Sequence, residues 1–406
     1  MFAKNLLSAE KQLESFLPFA GKSYTKNRNF YKSLDEKQDV SLLSPAIRHR
    51  VINEKTILKK VKGAHGFLNA EKFIQEVFWR TYWKGWLELR PSVYKHYLKD
   101  RDIQKENITN NKVNNINYNN AISGLTGIEC FDEWVNELKS YGYLHNHARM
   151  WFASIWIFTL KLPWSLGADF FMCNLLDGDP ASNTLSWKWV AGIQTKGKNY
   201  SASSSNIKTF TNNKYFPENQ LEINPKPIIT NEFFNIEINK FQSASIDQSL
   251  EYGVVIYADD INIEDIPYFK DLRIKSFFTG QAKDILDDHE ISPLVSEFLD
   301  SILENKCTEL KNKNDIEYFY SKNNFYTEYR EWISENNIKN LLVIKPTVGN
   351  WLNIHTQIKD ISNQNNINIV EIIKEYDTLT WPHATHGFFR FKEKIPKFLS
   401  EIEMLI

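Results

Sequence analysis

A change of hydrophobic periodicity near residue 200 constrains the fold of this 406-residue chain more than any other feature. From Leu6 to about Trp189 the apolar residues recur mostly at helical spacing, as in "NAEKFIQEVFWRTYWKGWLEL". Beyond Tyr200, β-like runs such as "YGVVIY", "RIKSFF", "NLLVIK" and "NINIVEII" alternate with helix-like stretches, which is typical of a parallel sheet covered by helices. The pattern therefore predicts an α + α/β fold, in which an all-helical half precedes an α/β half.

The same pattern sets the domain boundaries, and the length agrees with them because a single hydrophobic core rarely grows beyond about 250–300 residues. We predict a helical domain over residues 1–205, a linker or extended wrap over 206–245 and an α/β domain over 246–406. The Asn-rich stretch "ENITNNKVNNINYNN", residues 106–120, is interpreted as a surface loop.

The net charge of −1 conceals an uneven distribution of charged residues. Residues 1–200 carry 28 Lys and Arg against 19 Asp and Glu, whereas the remainder of the chain carries 21 against 31. An excess of +9 suggests that the first half meets a polyanion, with a drift in surface composition as the alternative. Nine of the 12 tryptophans lie before residue 190, so this half contains a dense aromatic core or a site that uses indoles.

Cysteine usage and apolar runs narrow the class of protein further. Three cysteines without paired spacing argue against a disulfide framework, a structural zinc site and a four-cysteine iron–sulfur cluster. The start "MFAKNLLSAEKQ" has no signal-peptide core, and "MWFASIWIFTLKLPW" is too short to span a bilayer. We therefore expect a cytoplasmic protein that does not contact membranes.

The stretch "LLDGDPASNTLSWKW" concentrates polar groups and tryptophans after an apolar helix. Its turn, with Asp177 and Asp179, could bind a ribose hydroxyl or an amino group. Alternatively, Asp179 could cap a helix that begins at Pro180. Trp187 and Trp189 would by default belong to a core or an interface.

The stretch "YGYLHNHARM" places Asn146, Arg149 and Met150 on one helical face. An Arg on an otherwise apolar helix needs a carboxylate, for which Asp177 is a candidate. The two histidines that flank Asn146 could instead belong to a metal site or an HNH-type nuclease, but no third ligand or matching acid lies nearby. We predict no metal site.

Two further stretches each allow two interpretations. In "SLLSP", Ser41 and Ser44 could present hydroxyls to a phosphate, or they could form an ordinary N-cap. In "FIQEVFWRTYW", Glu76, Trp79 and Arg80 share a helical face. That face suits either a ligand with a flat apolar surface and polar edges, or an amphipathic core helix.

Taken together, these stretches resemble the flavin-binding helical domain of the photolyase/cryptochrome family, from about Tyr24 to Tyr200. The motifs "YxxxRxF", "SxLSP", "ExxWR", "HNxxRM", "DGDxAxN" and "WxW" occur in the family's order and at near-family intervals. The resemblance implies FAD as the cofactor and leaves a second, antenna chromophore open. The residues that it implies as cofactor ligands are Tyr24, Ser41, Leu42, Leu43, Ser44, Arg80, Asn146, Arg149, Asp177, Asp179 and Asn183.

The resemblance also implies particular roles within this set. Tyr24 and the serine segment would hold the FAD diphosphate, with Arg80 nearby, and the two aspartates would lie around the flavin and the folded adenosine. Arg149 would pair with Asp177 and lie against the isoalloxazine. Asn183 would face flavin N5, where its amide could accept a hydrogen bond from the reduced ring or donate one to the radical anion.

A tryptophan relay that photoreduces the flavin is implied in the same way. Trp187 and Trp164 match its inner two members, whereas the outer Trp falls where this chain has "DRDIQKENITNNKVNN". Either another aromatic residue (Trp151, Trp156 or a Tyr) ends the relay, or photoreduction is slower.

The resemblance further implies a pocket for a flipped-out lesion of UV-damaged DNA. Family members that repair (6-4) photoproducts carry His at the positions of Asn146 and Met150, so the pattern here is that for cyclobutane pyrimidine dimers. Glu76 would hydrogen-bond the thymine edge, which requires its carboxyl group to be protonated or shared with a donor. The catalytic residues that the resemblance implies are Glu76, Asn183, Trp187 and Trp164. The predicted substrate-binding residues are Glu76, Trp79, Asn146, Met150 and Trp189, and the predicted phosphate contacts are Arg48, Arg50, Lys59, Lys60 and Lys62.

The resulting expectation is a monomeric deoxyribodipyrimidine photolyase, a carbon–carbon lyase driven by light. The alternatives are a cryptochrome-type blue-light receptor that signals through flavin photoreduction, and a flavin redox enzyme that does not use DNA. Val40 and Arg50 depart from the family pattern, as does the order of the domains. We expect no antenna domain ahead of the flavin domain and a Rossmann-like, antenna-like domain after it, where His383 and His386 in "WPHATHGFF" could serve a site or be structural.

Overall fold

The first half of the chain is helical in the computed structural model, which describes residues 2–237, 241–286 and 291–404. Eleven α-helices are described before residue 211, and a short π-helical turn, Ile155–Thr159, follows the eighth. The α-helices are α1 Leu6–Phe16, α2 Lys22–Asn27, α3 Ser44–Arg48, α4 Glu54–Glu88, α5 Ser92–Thr109, α6 Lys112–Ser123, α7 Glu129–Tyr141, α8 Asn146–Ser154, α9 Trp164–Asn174, α10 Pro180–Val190 and α11 Ser204–Phe210.

The long helix α4 packs against elements of both the helical half and the α/β half. Asn53 caps its first turn by accepting a hydrogen bond from the Thr56 amide, and Gly66 interrupts it with a left-handed φ of 71°. Its buried face includes Phe73 and Phe78, which belong to a hydrophobic core shared with the α/β half. The helix therefore connects the packing of the two halves.

Two predicted helix starts have different outcomes. Asp179 is the N-cap of α10 and accepts a hydrogen bond from the Ser182 amide (2.7 Å), with Pro180 in the first turn, so the predicted cap is confirmed. The N-cap interpretation of "SLLSP" is wrong. Leu43 occupies the cap position of α3 without a side-chain hydrogen bond, and Ser44 is already helical.

The Asn-rich stretch over residues 106–120 is helical, so its interpretation as a loop is wrong. It contains the end of α5 and most of α6, which begins after Asn111 caps the Val113 and Asn114 amides. Tertiary packing explains the difference, since α6 buries Ala121 and contacts both α5 and α7.

Within its described residues the second half contains a parallel sheet of five strands: β1 Glu251–Val255, β2 Arg273–Gly280, β3 Tyr318–Ser321, β4 Asn340–Ile344 and β5 Asn368–Ile372. The strand order is β3-β2-β1-β4-β5. Central strand β1 is buried over four consecutive residues, as expected for a parallel strand covered on both faces. The predicted α + α/β fold is confirmed, although the short strand "YFYS" was not predicted from the sequence. The α-helices of this half are α12 Lys283–Leu286, α13 Pro293–Asn314, α14 Phe325–Glu335, α15 Asn350–Gln364, α16 Glu375–Thr380, α17 Phe388–Lys392 and α18 Ile395–Met404.

Between α11 and β1 the described residues contain neither helix nor strand, although residues 238–240 of the predicted linker lie outside them. Backbone hydrogen bonds tie this segment to both halves: the Ile228 amide donates to the Ala191 carbonyl, and the Ala244 amide donates to the Glu371 carbonyl. The domain boundaries themselves remain predictions. Among the described helices, none combines the length and the apolar character that crossing a membrane requires.

Candidate functional site

A cavity of about 660 Å³ opens within the helical half, between α2, α3, α4, α8 and α10. This volume is in the range of cofactor and small-molecule sites. Its wall includes most residues that were assigned from the sequence to cofactor or substrate: Tyr24, Ser41, Leu42, Ser44, Glu76, Trp79, Arg80, Asn146, Arg149, Met150, Asp177, Asp179, Asn183, Trp187 and Trp189.

Two assigned residues lie outside this wall. Leu43 is fully buried in the hydrophobic core and does not line the cavity, so its place among the cofactor ligands stays a prediction. Trp164 is buried at the start of α9, where its ring contacts Tyr97. The wall also contains Arg28 and Ser182, for which the sequence motifs predicted no role. Arg28 is nevertheless the arginine of the "YxxxRxF" motif.

Four buried polar atoms of the wall have no hydrogen-bond partner: Ser44 Oγ, Asp177 Oδ1, Asp179 Oδ2 and Ser182 Oγ. An unsatisfied buried polar atom costs about 1–3 kcal/mol, and such atoms are rare in native proteins. Four of the twelve such atoms found among the described residues lie on this one wall, which favours a site for a ligand that has several hydrogen-bonding groups.

Two aspartates of this wall contact cations. Arg149 Nη2 donates to Asp177 Oδ2 (2.8 Å), so the predicted ion pair is present. Lys84, Arg48 and Arg80 lie 3.6–3.7 Å from Asp179 Oδ2. Burial by itself would raise the pKa of Asp179, but these three cations and the Ser182 amide hold that pKa well below its usual range.

Asn183 has a fixed orientation at the floor of the cavity. Its Nδ2 donates to the Ala168 carbonyl (2.7 Å), and a carbonyl partner requires that this atom be the nitrogen. In the described part of the chain no donor contacts its Oδ1. The free group that Asn183 offers to a ligand is therefore an acceptor.

At the other side of the cavity, Arg28 Nη1 donates to Glu76 Oε1 (2.6 Å). Burial raises the pKa of Glu76, although Arg28 and Lys72 oppose the shift. The carboxyl is thus shared with a donor, which is one of the two conditions under which it was predicted to hydrogen-bond a base edge.

Flat aromatic side chains complete the wall. Trp189 stacks on Tyr200 with ring centroids 5.8 Å apart, and Trp79 stacks on Phe388 of the α/β half at 3.6 Å. Both indoles are half-buried. A wall of this composition favours a planar ligand.

Ring contacts lead from the cavity to the surface through Trp156. Trp187 lies edge-on to Trp156 at 6.2 Å, and Trp156 lies edge-on to the half-buried Tyr118 of α6 at 5.9 Å. Gly167 permits this packing, because a Cβ there would lie 2.3 Å from the Trp187 ring. The ring contacts of the described residues do not include a pair between Trp187 and Trp164.

The predicted phosphate contacts are wrong for two arginines. Arg48 is buried and donates to Asp259 Oδ1 (2.7 Å), and Arg50 is buried and donates to Asp260 and Asp377. Both bind the acidic α/β half rather than facing solvent. The three predicted lysines are at least partly exposed; Lys60 pairs with Glu14 and Lys62 with Glu403, whereas Lys59 is exposed.

The histidines beside Asn146 bond to the backbone. His145 Nδ1 accepts from the His147 amide (3.2 Å), and His147 Nδ1 lies 2.9 Å from the Asn29 carbonyl. Across residues 2–237, 241–286 and 291–404, no group of three or more His, Cys, Asp or Glu side chains is placed to hold a metal ion. In the second half, His383 lies 2.7 Å from Lys394 Nζ, and His386 is exposed.

A cavity with unpaired polar atoms and aromatic walls within a helical fold indicates a site for a polar, planar ligand, and comparison with known proteins indicates the class of protein that this half resembles. The family model described as "FAD binding domain of DNA photolyase" matches residues 73–217. This segment is therefore similar to the FAD-binding domain of DNA photolyases, and the resemblance stated from the motifs is confirmed.

Curated relatives are similar in sequence to this chain over part of their length. The chain is 28% identical over 198 residues to a deoxyribodipyrimidine photo-lyase of Buchnera aphidicola, covering 47% of this chain and 39% of that protein. It is 31% identical over 156 residues to a protein of the same name from Streptomyces griseus, covering 38% and 32%. The chain thus spans less than half the length of these relatives. A solved class III photolyase from Agrobacterium tumefaciens is 23% identical, with a TM-score of 0.43, over 54% of this chain and 45% of that one.

Proposed function

We propose that the cavity binds FAD and that the protein uses it, under light, to split cyclobutane pyrimidine dimers in DNA. The observation that carries the cofactor assignment is the set of wall atoms without a hydrogen-bond partner, within and beside the segment that matches the FAD-binding family. Ser44 Oγ, Ser182 Oγ and Asp177 Oδ1 carry most of this weight, because Asp179 Oδ2 already lies close to three cations. FAD offers hydroxyl, phosphate and ring nitrogen groups, which are the kinds of partner that such atoms require.

The chain's own residues suggest how FAD would be held. Ser44 and Ser182 would donate their free hydroxyls to it, and Arg149, fixed by Asp177, would provide a cation beside the ring. Asn183 would accept a hydrogen bond through Oδ1, which matches the N5–H of a reduced flavin rather than the oxidised ring. When bound and reduced, FAD would supply an electron on excitation.

The substrate end of the cavity suits a flipped-out pair of pyrimidine bases. Trp79 and Trp189 would stack on the bases, and each such contact contributes about 1–3 kcal/mol. Glu76, shared with Arg28, would hydrogen-bond the base edge, and Asn146 and Met150 would complete the pocket. Photolyases are a known example of enzymes that flip their target base, and the cost of extrusion, which comes from unpairing and unstacking, is lowest for a damaged base.

Repair is tested by irradiating the reduced, FAD-loaded protein with a dimer-containing oligonucleotide and counting the restored bases. We expect light-dependent repair by wild type and a loss of most turnover in Glu76→Ala, with the FAD content unchanged. Lack of repair of both single- and double-stranded substrate would reject the repair proposal, and full activity in Glu76→Ala would reject the role of that residue.

One observation favours the blue-light receptor as the second candidate. The excess positive charge of the first half is in part neutralised by the α/β half, through Arg48, Arg50 and Lys84, so it does not by itself require DNA. A receptor would photoreduce its flavin without repairing dimers. The same irradiation, with the flavin spectrum recorded alongside the base count, separates the two candidates.

The electron supply to the flavin is a separate part of the proposal. The ring contacts support a path from Trp187 through Trp156 to Tyr118, in addition to the predicted Trp164. Trp156→Phe is expected to slow photoreduction more than Trp164→Phe does. The opposite order in a flash-photolysis experiment would favour the path through Trp164.

A further inference from the structure

A segment of the α/β half, residues 381–392, lies along the cavity helix α4 and is anchored to it. Tyr82 Oη donates to the His386 carbonyl (2.8 Å), and Arg90, just beyond the end of α4, donates to the Thr385 carbonyl (2.7 Å). These bonds fix the backbone of the segment opposite the turn of α4 that carries the aromatic wall.

The two ends of the segment are held as well. At Gly85 of α4 a Cβ would lie 2.8 Å from the Trp381 Cα, so only glycine permits this approach. At the other end, Lys392 Nζ lies 3.2 Å from Glu71 Oε1. The segment is therefore positioned along about four turns of α4, from Gly85 back to Glu71.

Within the segment, Phe388 makes the tightest ring stack of the described structure. Its ring lies 3.6 Å from that of Trp79 at an interplanar angle of 13°, and Tyr82 is edge-on to both rings. Phe388 is 5% exposed. No hydrogen bond from the Trp79 indole is found in the described residues, so ring packing alone sets its orientation.

We propose that Phe388 is a positioning residue, which holds the Trp79 indole in place for stacking on a planar base of the substrate. Segment 381–392 would then form part of the substrate pocket, although it lies outside residues 73–217, which match the FAD-binding family. The inference rests on the proposed function, because that function assigns Trp79 to the substrate.

A matched control lies in the neighbouring helix. Phe398 of α18 packs on Phe78 of the same helix α4, with ring centroids 5.9 Å apart, and has no ring contact with Trp79 among the described residues. Phe398→Ala removes as many atoms from the same interface as Phe388→Ala. Phe388→Tyr keeps a flat ring and should restore the stack.

The position of Trp79 is measured first, without substrate, by fluorine NMR of the protein labelled with fluorotryptophan. The Trp79 resonance is assigned by its absence in Trp79→Phe. We expect this resonance to shift and broaden in Phe388→Ala, and to stay as in wild type in Phe398→Ala and Phe388→Tyr. An unchanged resonance in Phe388→Ala would overturn the positioning role whatever the protein binds.

Affinity for a single-stranded oligonucleotide with one thymine dimer is measured next. Loss of one ordered stacking partner predicts about tenfold weaker binding in Phe388→Ala, wild-type binding in Phe388→Tyr and little change in Phe398→Ala. Equal affinities of Phe388→Ala and wild type would overturn the role in the substrate pocket. If wild type itself does not prefer the dimer to undamaged DNA, the proposed function fails, and the NMR result still decides whether Phe388 positions Trp79.

Discussion

The cavity wall and the junction between the two halves are both buried and rich in charge, yet their polar atoms are satisfied differently. At the junction, Arg50 donates to Glu54, Asp260 and Asp377, and Lys374 donates to Asp260. On the cavity wall, four serine and aspartate oxygens have no hydrogen-bond partner. The charged groups of the junction thus find their hydrogen-bond partners within the chain, whereas these four oxygens of the cavity wall do not.

This difference separates a structural role from a binding role. Charged groups that are buried together stabilise a docking contact only if every partner is present. Polar atoms that stay unpaired cost stability in the protein alone and regain it when a ligand supplies the partner. The comparison therefore assigns the junction to folding and the cavity to a ligand, and each assignment can be tested by removing groups singly.

The largest effect is expected at the junction. Arg50→Met removes a buried guanidinium and leaves Asp377 without the cation that contacts both of its oxygens, so the free energy of unfolding should fall by about 3–5 kcal/mol. Urea unfolding measures this loss. The control is Lys161→Met, which breaks the exposed pair with Glu222 and should cost less than about 0.5 kcal/mol. Equal losses in the two variants would contradict the structural role of the junction.

A pH-dependent effect is expected at Glu88, which is buried at the same junction and accepts a hydrogen bond from the Val348 amide. Burial raises the pKa of Glu88 to about 7 from 4.5. Because the folded-state pKa is the higher one, the unfolded chain loses its proton first, and this group's contribution to stability declines as pH rises from about 4.5 to about 7.

Glu88→Gln cannot ionise and keeps an oxygen for the Val348 amide. Relative to wild type, its free energy of unfolding should rise across that pH window by on the order of 3 kcal/mol and then level off. Urea unfolding at a series of pH values measures the difference. A difference that does not change with pH would show that folding does not raise the pKa of Glu88.

Smaller changes in the free energy of unfolding are expected when one hydroxyl is removed from the junction and one from the cavity wall. Thr347 Oγ1 donates to Asp259 Oδ2 at the junction (2.8 Å), so Thr347→Val should cost about 1–2 kcal/mol. Ser182 Oγ is buried without a partner, so Ser182→Ala should not lower the unfolding free energy of the FAD-free protein and should raise it by about 1 kcal/mol. A large loss in Ser182→Ala would mean that its hydroxyl is satisfied within the chain.

Local spacing explains how much of the site could be predicted. Glu76, Trp79 and Arg80 on α4, and Asn146, Arg149 and Met150 on α8, reach one cavity because residues three and four apart share a helical face. The cap at Asp179 depends on neighbouring residues and was predicted for the same reason.

Contacts between distant parts of the chain could not be predicted from local spacing. Nothing near Arg48 or Arg50 in the sequence indicates that their partners are Asp259 and Asp377, more than 200 residues away, so both arginines were assigned to phosphates. The helix α6 forms against the intrinsic preference of its many asparagines because it packs on α5 and α7.

The most direct test of the account is the affinity of the FAD-free protein for FAD, measured by fluorescence titration of wild type and of Ser182→Phe. Ser182 lies on α10 and lines the cavity, so the larger side chain would reduce the space for a ligand, and urea unfolding without FAD would establish that the variant is folded. We predict that wild type binds one FAD per chain and that the folded variant has lost this binding. Equal binding by both proteins, or no binding by wild type, would contradict the claim that the unpaired atoms of this wall are ligands for FAD.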